Sequence, residues 1–93
     1  MKIVFTFLLL LAQIGPAPSI EQAETIRQKG IAAKRANQFD SALYYYKESL
    51  KLFEAINHIK GIADVSNNLG ILYCNLGDFE QGLRFYNKSL KLL

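Results

Sequence analysis

The side chains of this chain that could act as nucleophile, base or metal ligand are few, and the sequence keeps them apart. His58 is the single histidine and Cys74 the single cysteine. A catalytic thiol needs a neighbouring imidazole, cation or helix N-terminus to stabilise the thiolate. Cys74 instead sits late in an apolar-periodic segment beside Tyr73, and His58 stands in the polar stretch Asn57-His58-Ile59-Lys60-Gly61, where solvation is its expected state. One Cys and one His fall short of the ligands a structural zinc site requires. The six glycines never gather into a phosphate-binding loop. Tyr44-Tyr45-Tyr46 has the rings for base stacking but lacks the strongly basic groove that accompanies them in single-strand binders. Lys and Arg are scattered, and the formal charge is only +3. That is too mild to imply a nucleic-acid partner. Catalysis, a cofactor and a metal are therefore not expected.

The elements that carry these residues follow from apolar spacing. Ala23, Ile26, Gly30 and Ala33 form one block; Phe39, Leu43, Tyr46, Leu50 and Phe53 a second; Ile62, Val65, Leu69, Tyr73 and Leu76 a third; Phe79, Leu83, Tyr86, Leu90 and Leu93 a fourth. Steps of three and four place each set on one helix face, whereas the alternation of a strand is absent beyond a few residues. The chain reads as all-α. Asn37 and Gly77 hold equivalent positions between helices, where a left-handed backbone is needed. Asp78 is placed to cap the last helix, with Gln81 at capping-box spacing; Gln38, a poorer acceptor, precedes the second. Gly61 is read as the residue that ends one helix before the next begins.

The first two blocks and the last two are one pattern written twice, 40 residues apart. Gly30-Ile31 aligns with Gly70-Ile71, Phe39 with Phe79, Tyr46 with Tyr86, and Ser49-Leu50-Lys51-Leu52 with Ser89-Leu90-Lys91-Leu92. A period in this range marks stacked helical repeats, which mostly present binding surfaces. Within each repeat a small residue of the first helix, Gly30 or Gly70, is expected to face one of the second, Ala42 or Gly82, so that the helices approach closely. Leu50 and Leu90 should point toward the following repeat.

Ahead of the repeats, Met1-Lys2 precedes an apolar run over residues 3–12 and the breaker cluster Gly15-Pro16-Ala17-Pro18. One cation, a short apolar core and small residues form the layout of a secretory signal peptide. The run is short of the roughly 20 apolar residues a spanning helix needs. Residues 1–19 are assigned to it, with a cut after Ser19 or after Ala12. Export to a periplasmic or extracellular space is the expectation, with membrane anchoring the alternative if the segment is not cleaved.

The residues Leu69-Gly70, Tyr73, Gly77-Asp78-Phe79, Leu83, Tyr86 and Ser89-Leu90 resemble the tetratricopeptide repeat family, in its variant of about 40 residues, over residues 21–93. The resemblance implies two stacked antiparallel helix pairs, a repeat over 20–57 and another over 58–93, the second ending mid-helix. Lys29 and Ala33 depart from the family pattern in the first repeat, as suits a terminal one. The resemblance further implies a groove, lined mainly by the first helix of each pair, that binds a peptide or protein segment. Carried over by position, its residues are Arg27, Ile31 and Lys34, then Asp64, Asn67, Asn68, Ile71 and Asn75. Asn68 is the most specific of these, because its amide can donate to and accept from an extended backbone. The alternative for Asn67-Asn68 is a solvated helix face. A clamp for a partner's C-terminal carboxylate is less well matched, since Ile31 stands where such clamps carry Asn.

Three functional expectations result. The first is an exported interaction module. The second is the leading, sensor-type piece of a larger signalling protein with a kinase or DNA-binding output. The third is a structural protein that self-associates through the open face of Phe79, Leu83, Leu90 and Leu93.

Overall fold

The computed structural model describes residues 17–92; the signal-peptide reading, up to residue 16, and Leu93 lie outside the described residues. Four helices follow one another: α1 Ile20–Arg35, α2 Phe39–Ala55, α3 Ile59–Asn75 and α4 Phe79–Leu92. The fold is all-α, as the spacing predicts, and forms the two stacked antiparallel helix pairs that the resemblance implies. Among the described residues no helix is long and apolar enough to cross a membrane.

Each turn repeats one solution at an interval of 20 residues. Asn37, Asn57 and Gly77 take left-handed backbones, with φ of 59°, 52° and 83°. At the first turn the Gln38 N–H donates to the Ala33 carbonyl and the Asn37 N–H to that of Lys34. His58 to Phe53 and Asn57 to Glu54, then Asp78 to Tyr73 and Gly77 to Cys74, repeat the pattern. These paired bonds satisfy the last carbonyls of each helix and reverse the chain within three residues. The middle turn corrects one expectation: Asn57 ends α2, while Gly61 lies buried inside α3. A Cβ at Gly61 would fall 2.2 Å from the Phe53 ring, so the glycine is there for close approach.

The helix starts are less uniform. Ser19 Oγ accepts from the Gln22 N–H at 3.1 Å. Gln38 makes no side-chain cap, as its poorer acceptor geometry suggests. Asp78 Oδ1 accepts from the Gln81 N–H at 3.2 Å. The reciprocal arm of a capping box is not formed there, because the Asp78 N–H is already given to Tyr73. His58 is a second correction. It is not simply solvated: its Nδ1 accepts from the Gly61 N–H at 3.0 Å and its ring stacks on Phe53, so it caps α3.

α1 packs on α2 and α3 on α4, while α3 also packs on α2 and on α1. The core joins Ala23 and Ala33 of α1, Ala42, Tyr46, Leu50 and Phe53 of α2, and Ile62, Val65, Leu69 and Leu72 of α3. In the first pair Gly30 lies against the Tyr46 ring, and in the second Gly70 lies against the Tyr86 ring and the Gly82 carbonyl. One buried hydroxyl ties each pair in the same way. Ser49 donates to the Ala23 carbonyl at 2.8 Å, and Ser89 to that of Ala63 at 2.9 Å. The 40-residue echo in sequence is thus an echo in contacts.

Candidate functional site

Residues at i, i+3 and i+4 share a helix face, and the groove candidates use that spacing on α1 and α3. Arg27, Ile31, Lys34, Asp64, Asn68 and Ile71 are half-buried, whereas Asn67 and Asn75 are exposed. The two most specific candidates meet. Arg27 Nη1 donates to Asn68 Oδ1 at 2.9 Å, bridging α1 and α3 across 41 residues of sequence. The remaining guanidinium edge grips Glu24, Nε to Oε2 at 2.9 Å and Nη2 to Oε1 at 2.7 Å. Such bidentate pairing fixes direction as well as charge. Arg27 has only donors, so it sets the orientation of the Asn68 amide, with Oδ1 toward the guanidinium and Nδ2 turned away. Asn68 is therefore a held amide and not a freely solvated one, while Asn67 is solvated.

Glu24 and Lys60 complete this face, and the sequence reading missed both. Lys60 Nζ donates to Asp64 Oδ2 at 2.9 Å. Glu24-x-x-Arg27 and Lys60-x-x-x-Asp64 have the i,i+3 and i,i+4 spacing of helical ion pairs, a signal that was present. The Arg27 hydrogen bonds hold the Glu24 carboxyl below the usual carboxylate range, with Gln28 and the charge of Lys60 adding to them against partial burial. The Glu24 carboxylate in turn raises the Arg27 guanidinium further, and Asp64 adds to it. With three internal bonds and a side chain 17% exposed, Arg27 is a strut, which leaves it poorly placed as a clamp for a free carboxylate.

A lowered folded-state pKa for Glu24 has a definite sign. The unfolded chain binds the proton more readily, so the contribution is present above the ordinary glutamate range and is lost as pH falls through the folded value. Glu24→Gln should therefore lower the melting temperature at pH 7 but not well below pH 4. For a carboxylate 40% exposed the difference is at most about 1 kcal/mol. Thermal unfolding of both proteins across that range checks it.

The other candidates divide. Ile31 packs against the core edge. Asp64 and Asn67 line a cleft of about 350 Å³ with Ala63, Tyr86, Ser89 and Leu90, between α3 and α4. Lys34 and Asn75 make no side-chain hydrogen bond among the described residues. Cys74 is half-buried, its Sγ against the Gly82 backbone. Among the described residues no group of His, Cys, Asp and Glu gathers as a metal-ligand set.

The chain is similar to two curated proteins, each named Photosystem I assembly protein Ycf3, from Prochlorococcus marinus strains NATL1A and NATL2A. The identities are 35% and 33% over 81 residues, covering 86% of this chain and 45% of each relative. The chain thus spans about half the length of the curated relatives it matches. No family model matches it. No solved structure matches it significantly.

Proposed function

We propose that the chain is a tetratricopeptide-type interaction module whose α1–α3 face binds an extended segment of a partner protein. The Arg27–Asn68 bond is the observation that carries this reading. It joins the first helices of both pairs and holds one amide ready to engage a peptide backbone. Preorganising that group lowers the entropy lost on binding. The repeat units 20–57 and 58–93 belong to the same reading, as does a role in assembly, the word that the names of the curated relatives carry. Export rests on the pattern of residues 1–19 and on nothing else; a reporter fused behind residue 19 would test it by its compartment.

A displayed library of extended peptides, selected on the immobilised full chain, supplies ligands for the test. Asn68→Ala should weaken the selected peptides about tenfold, the equivalent of about 1.4 kcal/mol or one good hydrogen bond. Asn68→Asp keeps an acceptor for Arg27 but removes the amide donor, and should weaken them as well. Peptides indifferent to both substitutions would overturn the groove assignment.

A further inference from the structure

The α1–α3 face is charged unevenly along its length. Toward the helix starts its charges are paired, Arg27 with Glu24 at 2.7 Å and Lys60 with Asp64 at 2.9 Å. Beyond them the acids stop. From residue 25 to residue 39 the chain carries Arg27, Lys29, Lys34 and Arg35 and no acid, and from 65 to 77 it carries no charge at all. Among the described residues Lys34 and Arg35 form no ion pair. Residues 1–16 contain no acid to offer them. The far half of the face is therefore positive and uncompensated.

The order of groups along the face follows from one hydrogen bond. α1 and α3 both run antiparallel to α2, so they are parallel to each other. The Arg27–Asn68 bond fixes their register. Carried toward the C-terminal ends, the same offset sets Ile31 beside Ile71 and Leu72, and Lys34 beside Asn75. The face thus steps from a held amide, to the half-buried Ile31 and Ile71, to half-buried Lys34 with exposed Arg35 and Asn75. A half-buried lysine lays its stem on the protein and keeps its ammonium at the surface.

On the premise that this face binds an extended segment, we infer that it selects a partner segment with an acidic side chain two residues from an aliphatic one. The aliphatic residue rests on Ile31 and Ile71, and the carboxylate meets Lys34, with the Asn75 amide as a further donor. Ile31 and Lys34 are about 4.5 Å apart along α1, while two extended residues advance about 6.6 Å, and the lysine stem takes up the difference. A spacing of two also turns both partner side chains to the same side. An uncompensated positive field admits a carboxylate and rejects a cation, so charge supplies the selectivity. The segment belongs to a partner protein. Seven of this chain's eight acids lie within helices and the other, Asp78, caps α4, so a second copy presents none on extended backbone.

Peptides selected on the immobilised full chain test this, made with amidated C-termini so that every carboxylate is a side chain. Anisotropy titration reads their affinities. The selected set should carry an acid two residues from an aliphatic, and replacing that acid by its amide should weaken binding about fivefold, the size of a half-exposed ion pair. Lys34→Gln should bring acid and amide peptides to within about twofold of each other. Lys34→Glu should reverse the preference, favouring peptides with lysine in place of the acid. Circular dichroism verifies the fold of both variants. A lysine that only served the C-terminal dipole of α1 would shift melting and leave peptide preference unchanged. An acid-to-amide ratio that ignores both Lys34 variants, while Asn68→Ala still weakens binding, overturns this selectivity and leaves the groove standing. Indifference to Asn68→Ala as well overturns both. Binding that requires a free C-terminal carboxylate would make the seat a terminal clamp and overturn the inference too.

Discussion

Tyr46→Ala should lower the unfolding free energy by about 3–5 kcal/mol, the usual cost of deleting a large buried aromatic side chain. The same change at the equivalent Tyr86 should cost distinctly less. Both rings lie against a glycine of the preceding helix, Gly30 and Gly70. Tyr46 is 1% exposed because α3 closes over it, whereas nothing described closes over Tyr86. The transfer and cavity terms are therefore both smaller at Tyr86. Total stability for a domain of this size is of order 5 kcal/mol, so Tyr46→Ala would leave the chain barely folded. Urea unfolding of the two variants measures the contrast. Equal losses would show that the two positions share one environment, contrary to the exposed second pair described above.

Gly61→Val should cost about 3 kcal/mol, for a reason unrelated to backbone freedom. A Cβ there would lie 2.2 Å from Phe53 Cδ1 and 2.6 Å from Cγ, so the base of the ring is in the way as well as its edge. Phe53 is 1% exposed and stacked on His58 with centroids 5.5 Å apart, which leaves the ring no path to swing aside. Overpacking of this kind typically costs 1–3 kcal/mol, and a β-branched residue adds little helix propensity in return. Gly61→Ala should cost less, since it regains about 1 kcal/mol of propensity. By contrast Gly77→Asn, in open space and with Asn already serving at 37 and 57, should stay within about 0.5 kcal/mol of the parent. Thermal or urea unfolding of the three variants gives the order. A stable Gly61→Val protein would mean that α2 and α3 do not meet at this point.

Most of the fold was legible because helical periodicity and the 40-residue echo report on the same faces. Phe39, Tyr46 and Leu50 recur as Phe79, Tyr86 and Leu90, and that repetition specifies two equivalent helix pairs before any contact is seen. What periodicity misread was the turn between the pairs. A glycine near a helix boundary is ordinarily its end, but Gly61 makes room for an aromatic ring, and that ring is eight residues earlier in another helix. The clue available was the 20-residue rhythm of Asn37, Asn57 and Gly77. His58 was misjudged for the same reason, since an acceptor at a helix start is recognisable only once the start is correctly placed.

The candidate site was less legible. Arg27 and Asn68 were both named by position, but a hydrogen bond across 41 residues has no signature in one sequence. Glu24 was overlooked although its spacing to Arg27 is that of a helical ion pair. The division of the eight groove residues also depends on three-dimensional packing. Asp64 and Asn67 turn to the α3–α4 cleft, while Arg27 and Asn68 bridge α1 and α3.

The most direct measurement is a map of backbone and Asn side-chain amide chemical shifts as a selected peptide is titrated into the full chain. The largest changes are expected at the Asn68 side-chain amide, with others at Arg27, Ile31 and Ile71. Changes confined to α2 or α4, with the Asn68 amide unmoved, would contradict a binding face built on α1 and α3.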